Sequence, residues 1–321
     1  MGWKGALRSI NAEANRQARN NAKLQRYRQK QQEQENAHNA VARQEYVLQT
    51  LVSLHHSCNA DLNWDRIRIE PSPVEPQAVT SRADIIQKKI ENLKPGLLDK
   101  IPHLSGWRKK RLNNKLPLCK EEDQKEFERL FNNYQEDKGA WNKRQALAER
   151  LQLGDGKVYM DIIKEYGQLA GIPLGKDLKF MVNDKNELAF DLKVSPQEEI
   201  IPDEEYSLRQ SGTLSAKKMA KTKSIDIYQD HVCSCLLRVA REIFGLLPIT
   251  GVQANALINA LNSQTGFMED QVIISALIKR ETLAQLNLNN IDPSDSFKNF
   301  VHHMKFTKSK GFEAVERINA L

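Results

Sequence analysis

Between Asn11 and Gln34 apolar residues are too few to form a face, yet no Gly or Pro interrupts the chain from Ala6 to Glu70. A run of Ala, Gln, Asn, Arg and Glu loses little by being helical, so the pattern predicts one long helix over about 11–56. At ~1.5 Å per residue such a helix is roughly 70 Å long. Val41, Leu48 and Val52, with Val47, Leu51 and Leu54, then recur at helical spacing and give the second half a side that docks. Pro71, Pro73 and Pro76 fix the backbone and remove donors, which marks 71–77 as a Pro-rich linker after an arm over 1–70. Helices follow over 78–93, stopped at Pro95-Gly96, over 103–116, stopped at Pro117, and over 120–153, stopped at Gly154-Asp155-Gly156. One more, over 158–169, completes a helical region over 78–170.

The period then changes from about 3.6 to 2. Leu178, Phe180 and Val182 alternate with polar or smaller neighbours, and after Asp184-Lys185-Asn186 so do Leu188, Phe190, Leu192 and Val194, which predicts a hairpin with one apolar face. Residues 195–224 are polar and read as a mobile loop. A helix over 225–247 is stopped by Pro248, and a second hairpin pairs 252–261 with 271–279. Asp292-Pro293-Ser294-Asp295 is a helix start, with a cap, a proline at the first helical position and an acid in the first turn. It predicts a short helix to about His303, then a last one after Gly311. The class expected is α+β: a long basic helix and a helical half, followed over 171–321 by a domain of two β-hairpins packed with helices, β-β-α-β-β-α. Val232, Leu236, Leu237, Val239, Ile243, Phe244 and Leu246 supply its core.

Length and charge sharpen this picture. The 321 residues suffice for about two domains. No apolar run approaches the roughly 18–20 residues that span a bilayer, and the mean hydropathy is −0.60, so no membrane insertion is expected. Four cysteines and no apolar leader near Met1 point to a cytoplasmic setting, and Gly2 lacks the Ser or Thr that myristoylation wants, since Ala6 stands there. The net charge is +7, and residues 1–30 hold eight Lys and Arg against Glu13, also +7. The rest of the chain is therefore neutral. Arg16, Arg19, Lys23, Arg26 and Lys30 recur at spacings of three and four, which places five cations on one helical face. Such a stripe suits a phosphate backbone or an acidic protein surface; the plainer reading is a solvated arm. Arg108, Lys109, Lys110 and Arg111, directly after Trp107, form a second candidate contact for nucleic acid. Two lysine groups, Lys217, Lys218, Lys221 and Lys223, and Lys305, Lys308 and Lys310, are weaker ones.

Candidate chemistry is thin. A P-loop, a dinucleotide fingerprint and a His-Glu-x-x-His helix are absent. His231, Cys233 and Cys235 lie in a predicted helix, where residues two apart point in different directions, so they read as core rather than as metal ligands. His55, His56 and Cys58 end a helix, where cationic groups are favoured. The sharpest catalytic alternative is a Mg²⁺-dependent nuclease using Asp184, Asp191 and Lys193, in which carboxylates hold the metal and the lysine assists water. Against it, Asp191 and Lys193 are simply the polar positions of an amphipathic hairpin, and Asp184 is a turn residue.

Leu54-His55, Asn63-Trp64-Asp65, the run from Val232 to Glu242, Ile291 to Asp295, Met304-Lys305-Phe306 and Gly311-Phe312 together resemble a group of bacterial intracellular proteins. The resemblance covers most of the chain after the arm. It implies a bacterial, intracellular origin and brings no activity, cofactor or catalytic residue with it; a multi-gene setting such as phage defence would suit the group, with no residue here to carry it. The functional expectation is a non-enzymatic binding subunit or adaptor in a complex, needing no cofactor and no metal, its basic arm contacting nucleic acid or an acidic protein. Alternatives are the nuclease, which alone would need Mg²⁺, and a coiled-coil adaptor built on Val41 to Leu54.

Overall fold

The computed structural model describes residues 3–94, 106–183, 185–262 and 265–318. In chain order the helices are α1 (Trp3–Val52), α2 (Trp64–Arg68), α3 (Ser81–Glu91), α4 (Trp107–Gln152), α5 (Val158–Tyr166), α6 (Gln197–Ile200), α7 (Lys221–Leu246), α8 (Arg280–Ala284) and α9 (Pro293–Ser296). The strands are β1 (Asp177–Val182), β2 (Leu188–Lys193), β3 (Glu204–Leu208), β4 (Leu214–Lys218), β5 (Gly251–Leu261), β6 (Met268–Lys279), β7 (Val301–Thr307) and β8 (Gly311–Glu313). The class is α+β. By contacts the chain divides into one unit of residues 1–62 with 159–321 and another of 63–158.

In the larger unit a sheet runs in the order β1-β2-β5-β6-β7-β8. Its neighbours are antiparallel except β2 and β5, which are parallel. A parallel pair needs a long crossover, and α6, the β3–β4 hairpin and α7 supply it. Leu188, Phe190 and Leu192, then Val252, Ala254 and Ala256, then Ile274, Ala276 and Ile278 make the buried apolar face. α7 carries the facing core, and every residue from His231 to Ala240 is buried. The unbroken Val272-Ile273-Ile274 run has a local cause. Ala256 pairs with Ile274 and Leu257 with Val272, so Ile273 is the extra residue of a bulge, and the bulge lets two consecutive isoleucines be buried.

In this unit three expectations about elements are corrected. The polar stretch 195–224 is not a loop: it holds α6, the β3–β4 hairpin turning at Gly212 (φ +78°), and the first residues of α7. Its alternation was weak because the hairpin is mostly exposed. The segment after Asp292 forms only α9 and a 3-10 turn, Phe297–Asn299, before entering β7, whose exposed and half-buried residues alternate. Among the described residues no helix follows Gly311; β8 and an extended tail do. Pairing with β6 decides the first assignment, because Ile274 to Leu277 offer a free edge to Val301 to Met304, and β7 in turn pairs with β8.

In the smaller unit, α4 is one helix through Pro117, where two were expected. Proline removes only the bond to the Asn113 carbonyl, and both residues are exposed, so water replaces it. The expected stop at Pro95-Gly96 and the start of the helix over 103–116 lie outside the described residues. The carboxylate of Asp123, buried in α4, accepts the backbone N–H groups of Arg82 (3.3 Å) and Ala83 (2.8 Å), and so caps α3 from another helix. Residues 67–72 are tied along α4: Gln145 donates to the Ile67 carbonyl, Trp141 to that of Glu70, and Arg144 pairs with the Glu70 carboxylate at 3.1 Å.

Candidate functional site

The basic stripe lies where the sequence placed it. Arg16, Arg19, Lys23, Arg26 and Lys30, together with Arg28, are exposed on α1, and so is every residue from 15 to 33. Over this stretch the helix is held only by its own backbone and by local bonds such as Gln29 to Glu33 and Gln31 to the Tyr27 hydroxyl. Among the described residues no ion pair or hydrogen bond engages any of the six cations. Neighbours of like charge at spacings of three and four repel by about 0.2–0.5 kcal/mol each, so the stripe weakens the helix that carries it unless an anion lies along it.

From Gln34 onward α1 is anchored. Gln34 donates to the Ser211 carbonyl (2.8 Å). Gln44 donates to the Glu204 carbonyl (2.7 Å) and accepts the Tyr206 N–H (2.7 Å), so one side-chain amide bonds the edge of β3 as a neighbouring strand would. Leu51 and Leu54 are buried beside α7, whereas Val47 is exposed. The end of α1 leaves carbonyls without helical partners, and α7 supplies donors. His231 Nδ1 donates to the Leu51 carbonyl (3.1 Å) and Arg241 to the His55 and His56 carbonyls.

Arg108, Lys109, Lys110 and Arg111 are exposed at the start of α4, in the other unit. Trp107 is 51% exposed, with the Arg111 guanidinium 5.5 Å from its ring centroid. That is a cation on a stacking platform, available to a base or sugar. The lesser groups are partly neutralised, Lys223 by Glu205 and Lys308 by Asp226.

The residues of the nuclease alternative have other attachments. Asp184 lies outside the described residues. Asp191 is held in a two-pronged pair by Arg317, at 2.7 and 2.6 Å, and accepts a bond from Asn255 Nδ2 (2.9 Å). Lys193 pairs with Asp270 at 2.7 Å. Strand register explains the arrangement: Lys179, Asp191, Asn255, Ser275 and His303 stand opposite one another across five strands on one face. Ser275 Oγ donates to Asn255 Oδ1 (2.7 Å), and the extended tail closes the row, with the Ile318 N–H on Ser275 and His303 on the Glu316 carbonyl. Such a row is invisible in sequence because its members come from distant segments.

A second group was also missed. On α7, Arg238 and Glu242 form a buried pair at 2.7 Å; Glu242 also accepts the Gln168 N–H (2.5 Å) and lies 3.5 Å from Cys58 Sγ. Burial, with Glu242 adjacent, raises the Cys58 thiol, so at rest it is no thiolate nucleophile. His55 is buried with Nδ1 2.8 Å from Ser234 Oγ. Burial, then repulsion from His56 and Arg241, lowers it to about 4 against a weaker opposing contribution from the Leu288 backbone, so it is neutral at pH 7. Cys233 and Cys235 are buried in α7, and no group of three or more His, Cys, Asp or Glu among the described residues is arranged to hold a metal. Spacing of three and four along 231–242 was the available signal for the pair, since Arg238 and Glu242 are i, i+4.

No helix among the described residues is long and apolar enough to cross a membrane. Compared with protein-family models, with curated proteins and with solved structures, the chain matches none.

Proposed function

We propose that this protein is a non-enzymatic binding subunit whose α1 helix lies along the phosphate backbone of a nucleic acid. The observation that carries the reading is the stripe itself: cations on one face of an exposed helix, none with an internal partner. A phosphate backbone offers charges in a row, supplies the missing counter-charge and releases condensed ions on binding. Contacts of this kind position without reading sequence. Arg108 to Arg111 with Trp107 would add a second, separate contact. The nuclease reading is less favoured because both oxygens of Asp191 are engaged by Arg317 and Lys193 is neutralised by Asp270. A coiled-coil role is less favoured because Leu51 of α1 and Leu54, in the 3-10 turn just after it, are buried against their own chain.

The test is fluorescence anisotropy with a labelled duplex across a salt series. Five phosphate contacts give a slope of log K against log salt of about −4.5, or roughly a 500-fold loss between 50 and 200 mM. Changing Arg16, Arg19, Lys23, Arg26 and Lys30 together to Gln should make that slope shallower by about 4.5. An unchanged affinity and slope in the variant would remove the stripe from any such role.

A further inference from the structure

We infer that the hollow between the end of α7, the Cys58–Asp61 segment and α8 is a binding site for a small amphipathic anion, its charged head on Arg241 and Arg280 and its apolar body on Phe244, Leu283 and Leu288. The hollow has a volume of about 340 Å³. That is the lower end of the range for small-molecule sites, which are mostly apolar with a few fixed polar groups. All of it belongs to the larger unit.

Both guanidiniums are held in place before any ligand arrives. Arg241 Nη1 donates to the His55 and His56 carbonyls. Arg280 donates from Nε to the Ile249 carbonyl (2.7 Å) and from Nη2 to that of Leu247, and its guanidinium lies 5.0 Å from the Phe244 ring centroid. Backbone carbonyls orient these cations without neutralising them. Among the described residues neither has a carboxylate within ion-pair distance, although both are half-buried. Half-burying two cations without a counter-charge is costly, and an anion from outside relieves that cost. Burial lowers the pKa of Arg280, as expected of a cation short of compensation. Among the described residues Asp61, exposed at the rim, is the one acid lining the hollow, so two positive charges face one negative. Glu242 stands behind the wall and is already committed to Arg238 and the Gln168 amide. Locked donors lose little entropy on binding, which is what separates a site from a chance cleft.

Isothermal titration of the full chain with phenyl phosphate tests the inference, with inorganic phosphate and phenol as separate probes. Phenyl phosphate should bind at least about tenfold more tightly than either part, because head and body are held together. Ala284→Trp fills the hollow from the exposed α8 and should abolish binding while leaving the thermal midpoint unchanged. Asp61→Asn, at an exposed position, should tighten binding about threefold by removing the one opposing charge. The variant with Gln at all five stripe positions should bind phenyl phosphate like the parent, which separates this site from the arm. Equal affinity for phenyl phosphate and inorganic phosphate, or binding that survives Ala284→Trp, would overturn it.

Discussion

At the scale of single residues the larger unit carries two titrations of opposite sign. Asp230 on α7 faces the cap of α9: burial, then repulsion from Asp292, pushes it up to about 6, against a bond with Ser294 that lowers it. Asp292, though burial opposes it, is held low by the N–H of Asp295 and by Ser294. A raised carboxyl means the native state binds more protons than the unfolded one between about pH 4 and 6, so its contribution is lost as pH rises through that window. His55 does the reverse: held at about 4 in the fold, it contributes stability above pH 6.5 that is lost as pH falls toward 4. In the parent the two slopes offset one another from about pH 4 to 6. Asp230→Asn should expose the His55 slope, about 1.4 kcal/mol per pH unit, and stabilise the protein at pH 7 by on the order of 1 kcal/mol after allowing for partial exposure. Urea unfolding at pH 4.5, 5.5, 6.5 and 7 reads both, and a variant as flat as the parent would refute the assignment. Gly245 gives a simpler case. A β-carbon there would run into the Ala60 backbone, whose segment crosses α7 and ties to it through the Leu62 N–H on the Gly245 carbonyl (2.7 Å). Gly245→Ala should lower stability by about 1–3 kcal/mol, visible as a lower urea midpoint.

At the scale of elements, what holds a helix in place is often a single side chain from another element. Asp123 caps α3 from α4 with two bonds, so Asp123→Ala should cost about 1–2 kcal/mol and speed amide exchange over Ser81 to Glu91, leaving the larger unit unaffected. If exchange over α3 stayed slow, the cap would be dispensable. Gln44→Ala should likewise loosen the hold of α1 on β3 without touching the stripe. Legibility in the sequence follows the range of the interactions that decide each element. α1 was readable because composition and the absence of Gly and Pro settle it locally, and the β1–β2 and β5–β6 hairpins because alternation and turn residues sit side by side. β3 and β4 were hidden since exposed strands alternate weakly, and β7 since a helix start at Asp292 is real but extends only to α9 before the β6 edge takes over. Of the candidate sites, the stripe was readable from spacing alone. The Asp191 row and the Arg241–Arg280 hollow were not, because each gathers residues far apart in the chain, and side chains such as Arg280 and Arg317 carry no local pattern that marks them.

For the whole molecule the decisive property is where charge and contacts separate. Residues 1–33 hold eight cations and two acids, a net of +6, which leaves +1 for the other 288. Contacts separate at the same place, since every described side chain from 15 to 33 is exposed and the anchoring bonds start at Gln34. The described side chains of this segment bury nothing, so removing residues 1–33 should leave the thermal midpoint within about 2 °C, a shift that in a chain of this size corresponds to about 1 kcal/mol. The same truncation should remove most of the duplex affinity. Trypsin offers the complementary measurement, because the six basic residues between 15 and 33 are accessible and the helix they sit on is unsupported. Cleavage should be confined there first, giving a stable large fragment that begins near Gln31, and a saturating duplex should protect those sites by covering the cations and removing the repulsion that frays the helix. A truncated protein that melts far lower would mean the arm is structural. One that keeps full duplex affinity would move the contact to Arg108–Arg111, where Trp107→Ala would then be the substitution that weakens it.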